Sequence, residues 1–258
     1  MGQSMRNVLP EDYDATPRPV VAVGNDFRAG HVVAPHRHRR CQFLYSPKAV
    51  LSVSTDQGAW VVPPDHCLWL PAGVEHEVRS HGSLLTRSLF FEPDAVADMP
   101  ARCRVLAVSP LMRSLVAEAV DLPAEYALDS RAGLIMALAV QELMRLPEQP
   151  LSLPIPTHPA LAQRCRAFLA RPTAHETIDG WAADLAMSRR AFTRLFRRET
   201  TMSFTAWRQQ ACLLAALPRL SRGEPVTVVA LDLGYDSPAV FTTMFKRALG
   251  APPSRYFS

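Results

Sequence analysis

Between Ser188 and Glu199 the chain reads SRRAFTRLFRRE. At helical spacing Arg189, Arg190, Thr193, Arg194 and Arg197 fall on one side, and Phe192, Leu195 and Phe196 form an apolar stripe on the other. No acid interrupts the basic side before Glu199. Four guanidiniums on one face repel each other unless an anion neutralises them. Nucleic-acid phosphate and the guanine edge are the partners whose geometry suits them. For any single arginine, phosphate positioning and base reading are both open, because half or more of protein–DNA hydrogen bonds go to the backbone.

Such a face needs a rigid mount. Ser188 reads as the N-cap of its helix. The helix before it runs from Ile178 to about Ala186, with Trp181, Ala182 and Leu185 at apolar spacing and a break at Met187-Ser188. The pattern then recurs. VTVVALDLGYDSPAVFTTMFKRALG gives a helix from Val226 to Leu233, a stop at Gly234 and a new start at Ser237-Pro238, a serine cap with proline in the first turn. Phe241, Met244 and Phe245, extended by Leu249, form the buried stripe there. Ala239, Val240, Thr242 and Thr243 lie nearer the outer face, with Lys246 as a phosphate contact. SFTAWRQQACLLAALPRLSRG, between the two units, reads as a long connecting helix that Pro218 should kink or shorten.

Residues from about 160 to 258 resemble the DNA-binding domain of AraC/XylS-type transcription regulators. The closing GYDSPAVFTTMFKRALGAPPSRYF is similar to that family's signature in spacing and residue type. The resemblance implies a tandem helix-turn-helix that enters two successive major grooves of double-stranded DNA. Ser188, Arg189, Arg190, Thr193, Arg194 and Arg197 would serve the first groove. Ser237, Ala239, Val240, Thr242, Thr243 and Lys246 would serve the second, chiefly for affinity, since such side chains suit thymine methyls or groove shape. One departure is Cys212, where the family usually carries an arginine. The QQA..LLAALPRLSRG texture also resembles regulators that repress a neighbouring efflux-transporter gene.

Charge is distributed to match. The 258-residue chain carries +4 overall, but from His158 onward 14 Lys and Arg stand against 7 Asp and Glu, leaving that part at +7 and the remainder at −3. A polyanion partner for the C-terminal part alone follows. Five cysteines with no metal-finger spacing read as reduced thiols of a cytoplasmic protein. No apolar stretch approaches a membrane span. The N-terminus lacks signal-peptide design. MGQSMR superficially fits a myristoylation pattern without a second anchor, and the first 17 residues or so read as frayed.

From Val20 to about Phe91 short β-branched and aromatic runs alternate with turn residues, which predicts a barrel or sandwich of many short strands. Within it PHRHRRCQ and DHCLWLPAGVEHEVRS resemble the two motifs of a cupin barrel. Pro71, Gly73 and His76 are kept, whereas Asp65 replaces a glycine, Ser80 an asparagine and Gln42 a glutamate. In metal-binding cupins the matching positions, here His36, His38, Gln42 and His76, hold one divalent ion. Residues two apart on a strand share a face, so His36 and His38 can converge. Imidazole suits Zn, Fe, Ni or Cu, while an amide oxygen is a weaker ligand than a carboxylate. The other reading is a metal-free pocket for a small-molecule effector.

Leu106 to Met144 then holds two helical patterns, with Asp129 or Ser130 as cap of the second. Such a hairpin resembles the dimerisation element of AraC-type proteins; packing against the barrel is the alternative, and a homodimer is the expectation. Residues 147–159 carry five prolines and read as an extended linker. The fold class is therefore two-domain α+β. Residues 1–146 form a cupin-like β-barrel with a helical hairpin, for effector sensing and dimerisation, and residues 160–258 an all-α tandem helix-turn-helix domain. The expected function is a small-molecule-responsive transcription regulator rather than an enzyme, with no membrane partner. A cupin-type metalloenzyme, a dioxygenase or isomerase with a helical tail, is the rival, and it leaves the arginine-faced helix unexplained.

Overall fold

The computed structural model describes residues 13–28, 30–81 and 84–256. It packs as two units, residues 1–55 with 60–150, and residues 56–59 with 151–258. Residues 1–12, which include the MGQSMR motif, lie outside the described residues.

In the first unit the alternation of apolar and polar residues yields nine strands before the helices: β1 (Val20–Phe27), β2 (Val32–His36), β3 (Cys41–Tyr45), β4 (Val50–Ser54), β5 (Gly58–Val62), β6 (His66–Leu70), β7 (His76–His81), β8 (Leu84–Phe91) and β9 (Arg104–Ala107). The hairpin helices α1 (Pro110–Ala119) and α2 (Arg131–Leu143) follow, then the short strand β10 (Glu148–Gln149). One sheet runs β1-β8-β3-β6-β9-β10, and the other contains β5, β4, β7 and β2 in that order. Strands consecutive in sequence rarely pair, as expected of a double-sheet barrel of the cupin kind.

The first sheet has two differently used faces. Phe43, Tyr45, Cys67, Trp69, Leu89 and Phe91 point outward into a core shared with Met112, Leu115 and Val116 of α1 and Met136, Ala139 and Leu143 of α2. Gln42 and Phe90, of opposite parity, face inward. There Tyr13 packs on Phe90, ring centroids 4.3 Å apart, in a small cluster with Val21 and Val23. Tyr13 and Thr16 are buried, which corrects the expectation that the chain frays up to residue 17. The cause is Arg40, fully buried on the next motif, whose guanidinium donates to the Thr16 and Arg18 carbonyls and pairs with Glu92 at 2.8 Å.

The helices start where the serines stand. Ser109 and Ser130 accept from the Met112 and Gly133 amides. Ser130, rather than Asp129, is thus the cap of α2.

The second unit contains the strand β11 (Ser152–Pro154) and seven helices: α3 (Pro159–Ala170), α4 (Ile178–Asp184), α5 (Arg189–Thr200), α6 (Phe204–Ser221), α7 (Val226–Asp232), α8 (Pro238–Leu249) and α9 (Pro253–Tyr256). Trp181 is fully buried at its centre, ringed by Phe168, Phe192, Phe196, Phe204 and Trp207 at centroid distances of 4.9 to 6.4 Å. Its indole N–H donates to Glu176 at 2.6 Å, and Arg164 stacks on its face while pairing with the same carboxylate. The proline-rich segment is extended but tethered. Glu148 and Gln149 pair with β9, Leu151 and Leu153 are buried, and the Pro154 carbonyl accepts from Trp207. Pro218 does not shorten α6, which runs three residues beyond it to Ser221. A proline in the last turn of a helix removes only one internal hydrogen bond, and this one is buried in the core.

A candidate nucleic-acid interface and a three-histidine centre

The two helix-turn-helix units share a turn design. In the first, Ala186 takes φ +52° after α4, and the Met187 amide donates back to the Ala182 carbonyl at 2.8 Å. In the second, Gly234 takes φ +74° after α7, and the Tyr235 amide donates to the Ala230 carbonyl at 3.0 Å. These six-residue bonds close each short helix and turn the chain sharply into the next one. The serine caps then act as expected: Ser188 accepts from the Ala191 amide and Ser237 from the Val240 amide.

On α5 the phenylalanines and Leu195 are buried, and Arg189, Arg190, Thr193, Arg194 and Arg197 are exposed. A surface groove is lined by these five and Arg198 alone. Arg198 was not among the sequence-derived site residues. It follows Arg194 by one turn, so the helical wheel held the signal. Arg189 is braced by Asp179 of α4 at 3.0 Å, and Arg198 pairs with Glu199 at 3.1 Å. No ion pair is recorded among the described residues for Arg190, Arg194 or Arg197, which leaves their charge available to a ligand. The Thr193 hydroxyl donates to the Arg189 carbonyl and keeps its lone pairs outward.

On α8, Ala239, Val240, Thr243 and Lys246 are exposed, Thr242 and Ser237 are half-buried, and Arg247 adds a second exposed cation. Thr243 donates to the Ala239 carbonyl. Cys212 is fully buried on α6, and burial pushes its thiol up to about 12. A charge could not stand there without a partner. Arg208, one turn earlier, instead donates to the Glu176 carbonyl.

One contact was invisible in sequence. The Glu199 carboxylate, at the end of α5, accepts from the Thr157 amide at 3.1 Å, the Thr157 hydroxyl at 2.7 Å and the His158 amide at 3.2 Å. It therefore ties the start of α3 to the end of α5. The Thr157 hydrogen bond, then Arg198, holds the carboxyl down to about 2.

In the first unit, His36 and His76 face each other across the β2–β7 ladder, just after a register irregularity. His38 follows β2, where its carbonyl accepts from the Gly73 amide at 2.9 Å. Gly73 takes φ +77°, which accounts for the glycine of the second motif. Asp65, standing for the other motif glycine, takes φ +65°, a conformation that short polar side chains tolerate. Ser80 is buried in β7, its amide bonded to the His31 carbonyl.

The potential ligand atoms of His36, His38 and His76 all lie within 4.8 Å of one another. His38 and His76 are buried and His36 half-buried. Each Nδ1 faces a backbone carbonyl: Ala34 at 2.9 Å for His36, Arg40 at 2.6 Å for His38 and Val74 at 2.9 Å for His76. Carbonyl oxygens only accept, so each Nδ1 carries the proton and each Nε2 is left with a lone pair. Burial lowers the basicity of His38 and brings His76 down to about 4, so neither is charged at neutral pH. The Gln42 amide donates to Ser88 Oγ at 3.2 Å and turns Oε1 to within 3.1 Å of His38 Nε2. Two lone pairs then face each other. The buried His76 Nε2 has no protein partner. Nδ1–H bonds to carbonyls, converging Nε2 atoms and an orphaned buried nitrogen fit a divalent metal ion.

Two families of known proteins match the chain. The family described as AraC-like ligand binding domain matches residues 22–171, and a helix-turn-helix domain family matches residues 181–258. Over 223 residues the chain is 35% identical to the HTH-type transcriptional regulator NimR of Escherichia coli K12, covering 86% of this chain and 81% of that protein. It is 30% identical over 87 residues to the arabinose operon regulatory protein of Salmonella typhimurium, 32% of this chain and 30% of that one. Among solved structures, ToxT of Vibrio cholerae aligns at 9% identity over 93% of this chain and 98% of its own, with a TM-score of 0.39. The relatives are transcription regulators and not enzymes. No described helix is long and apolar enough to cross a membrane. The chain belongs to the AraC family of helix-turn-helix transcriptional regulators, with an AraC-like ligand-binding domain ahead of its DNA-binding domain.

Proposed function

We propose that this regulator binds a paired operator as a cytoplasmic homodimer and answers to a small molecule held in its β-barrel. The groove lined by five arginines and one threonine on α5 carries the DNA part of the reading. Among the described residues, Arg190, Arg194 and Arg197 have no ion-pair partner. Arg189, Arg190, Thr193, Arg194 and Arg197 are assigned to the first major groove, with Ser188 aiming their helix. Ala239, Val240, Thr242, Thr243 and Lys246, behind Ser237, are assigned to the second, where apolar contact and phosphate neutralisation outweigh hydrogen bonding. The first unit ends at residue 150 and the second resumes at Leu151, within the proline-rich residues 147–159 assigned as the linker.

Dimerisation is assigned to the hairpin. Its inner stripe is spent on the sheet, yet Leu134 of α2 is 63% exposed and Leu138 45%, with Leu111 of α1 also 45%. A second copy of the same face would cover them about a two-fold axis. The likeness of the QQA..LLAALPRLSRG texture to repressors of efflux genes supports an efflux transporter as the regulated target. The barrel holds one divalent ion through His36, His38 and His76, with Gln42 as a fourth donor. Selection of genomic fragments bound by the intact chain tests the whole reading: paired half-sites upstream of a transporter gene support it, and fragments with no shared motif refute it.

A further inference from the structure

Resting on the metal reading above, we infer that the barrel recognises a ligand with an anionic donor atom that completes the coordination of the bound ion. Three imidazoles fixed as Nδ1–H tautomers and one amide oxygen make a donor set whose summed charge is zero. A divalent ion there keeps its full charge among side chains that are buried at His38 and His76. Removing an uncompensated charge from water is costly, and the protein offers little to offset it.

The flanking charges are mixed: Arg37, Arg39 and Arg40 stand beside the first two histidines, and Glu75 and Glu77 beside His76. Arg39 and Arg40 flank the site in sequence and share one carboxylate, Glu92, at 2.6 and 2.8 Å. Asp14 is the carboxylate whose field reaches His38, and it is not among the groups clustered within ligand distance. The position from which a glutamate would supply the missing charge holds the neutral Gln42, hydrogen-bonded to Ser88. The set is thus arranged to hold an ion while leaving its charge unmet.

The half-exposed His36, beside exposed Ala34, Pro35 and Arg37, marks the side open to solvent. A ligand arriving there can place an anionic donor atom on the ion. Its neutral counterpart of the same shape gains far less, because only the charged form balances the ion. The effector is accordingly sensed through the metal, and discrimination lies in charge and donor type.

The test uses the intact chain, purified without nickel resin, stripped with chelator and titrated with Co(II) in perchlorate buffer, with azide as the anionic probe and acetamide as the neutral one. Binding is followed by equilibrium dialysis and by the visible Co(II) absorption. The expected result is one Co(II) per chain, bound at least about tenfold more tightly with azide than with acetamide, and visible bands that shift with azide. Gln42→Glu should bind Co(II) tightly without azide and lose most of that dependence, while Asp14→Asn should keep it. Stoichiometric Co(II) binding that azide does not change overturns the anion inference and leaves the metal site standing. So does an azide effect that Asp14→Asn alone removes. Absence of Co(II) binding by the wild-type chain, with unaltered circular dichroism, overturns the metal reading itself.

Discussion

A β-carbon on Gly234 would lie 2.4 Å from Thr173 Oγ1 and 2.8 Å from His175 Cδ2. The loop between α3 and α4 therefore sits against the turn of the second helix-turn-helix, and the Ala174 amide bonds to the Leu233 carbonyl at 2.7 Å. These contacts hold the loop that precedes the first helix-turn-helix against the turn of the second. Gly234→Ala meets both the clash and the positive φ. It should lower stability by about 1–3 kcal/mol, read as the urea midpoint of the intact chain. An unchanged midpoint would mean that the loop does not hold the turn.

Arg194 has no ion-pair partner among the described residues and lines the arginine groove. If it reads guanine, Arg194→Ala should cost about 1–3 kcal/mol on operator DNA and much less on random DNA. Fluorescence anisotropy on the two duplexes separates the cases. Equal losses on both make Arg194 a phosphate contact.

Glu199 gives a pH prediction. Its folded-state carboxyl is held down to about 2 from an ordinary 4.5, so the stability it contributes is complete above about pH 4.5 and is lost as pH falls toward 2. The difference in thermal midpoint between the wild type and Glu199→Gln should be flat from pH 7 to 5 and shrink below that. A difference that narrows instead between pH 7 and 5 would assign the effect to another group.

How much of this was legible in the sequence depended on the range of each interaction. Caps and stripes are local, and Ser188, Ser237, Phe192, Phe196 and Phe241 behave as their spacing implies. The clustering of His36, His38 and His76 was reached through motif resemblance, and the β2–β7 register supplies the reason. Long-range partners were not readable. Thr157 meets Glu199 across 42 positions, and buried Arg40 meets the Thr16 carbonyl across 24. Periodicity is silent about such pairs. The proline-rich segment is extended, as its composition implies, and the short strands within it are what proline permits where it bars a helix.

Leu138 is exposed on α2 while Met136 and Ala139 are buried against the sheet. Leu138→Glu should therefore leave the fold intact and give monomers in multi-angle light scattering. Affinity for a paired operator should drop by about 10²–10⁴, the usual gain from intramolecular second binding. A wild-type monomer at micromolar concentration, or an unfolded variant, would return the hairpin to the core alone.

The central claim is that the arginine face of α5 carries DNA binding. The direct measurement is the affinity of the intact chain for its selected operator across a series of KCl concentrations. Log affinity should fall steeply with log salt, by about 0.9 for each phosphate neutralised, and the double variant Arg190→Ala/Arg194→Ala should flatten that slope by up to about 2. A slope near zero, or a double variant with wild-type slope and affinity, would contradict the account.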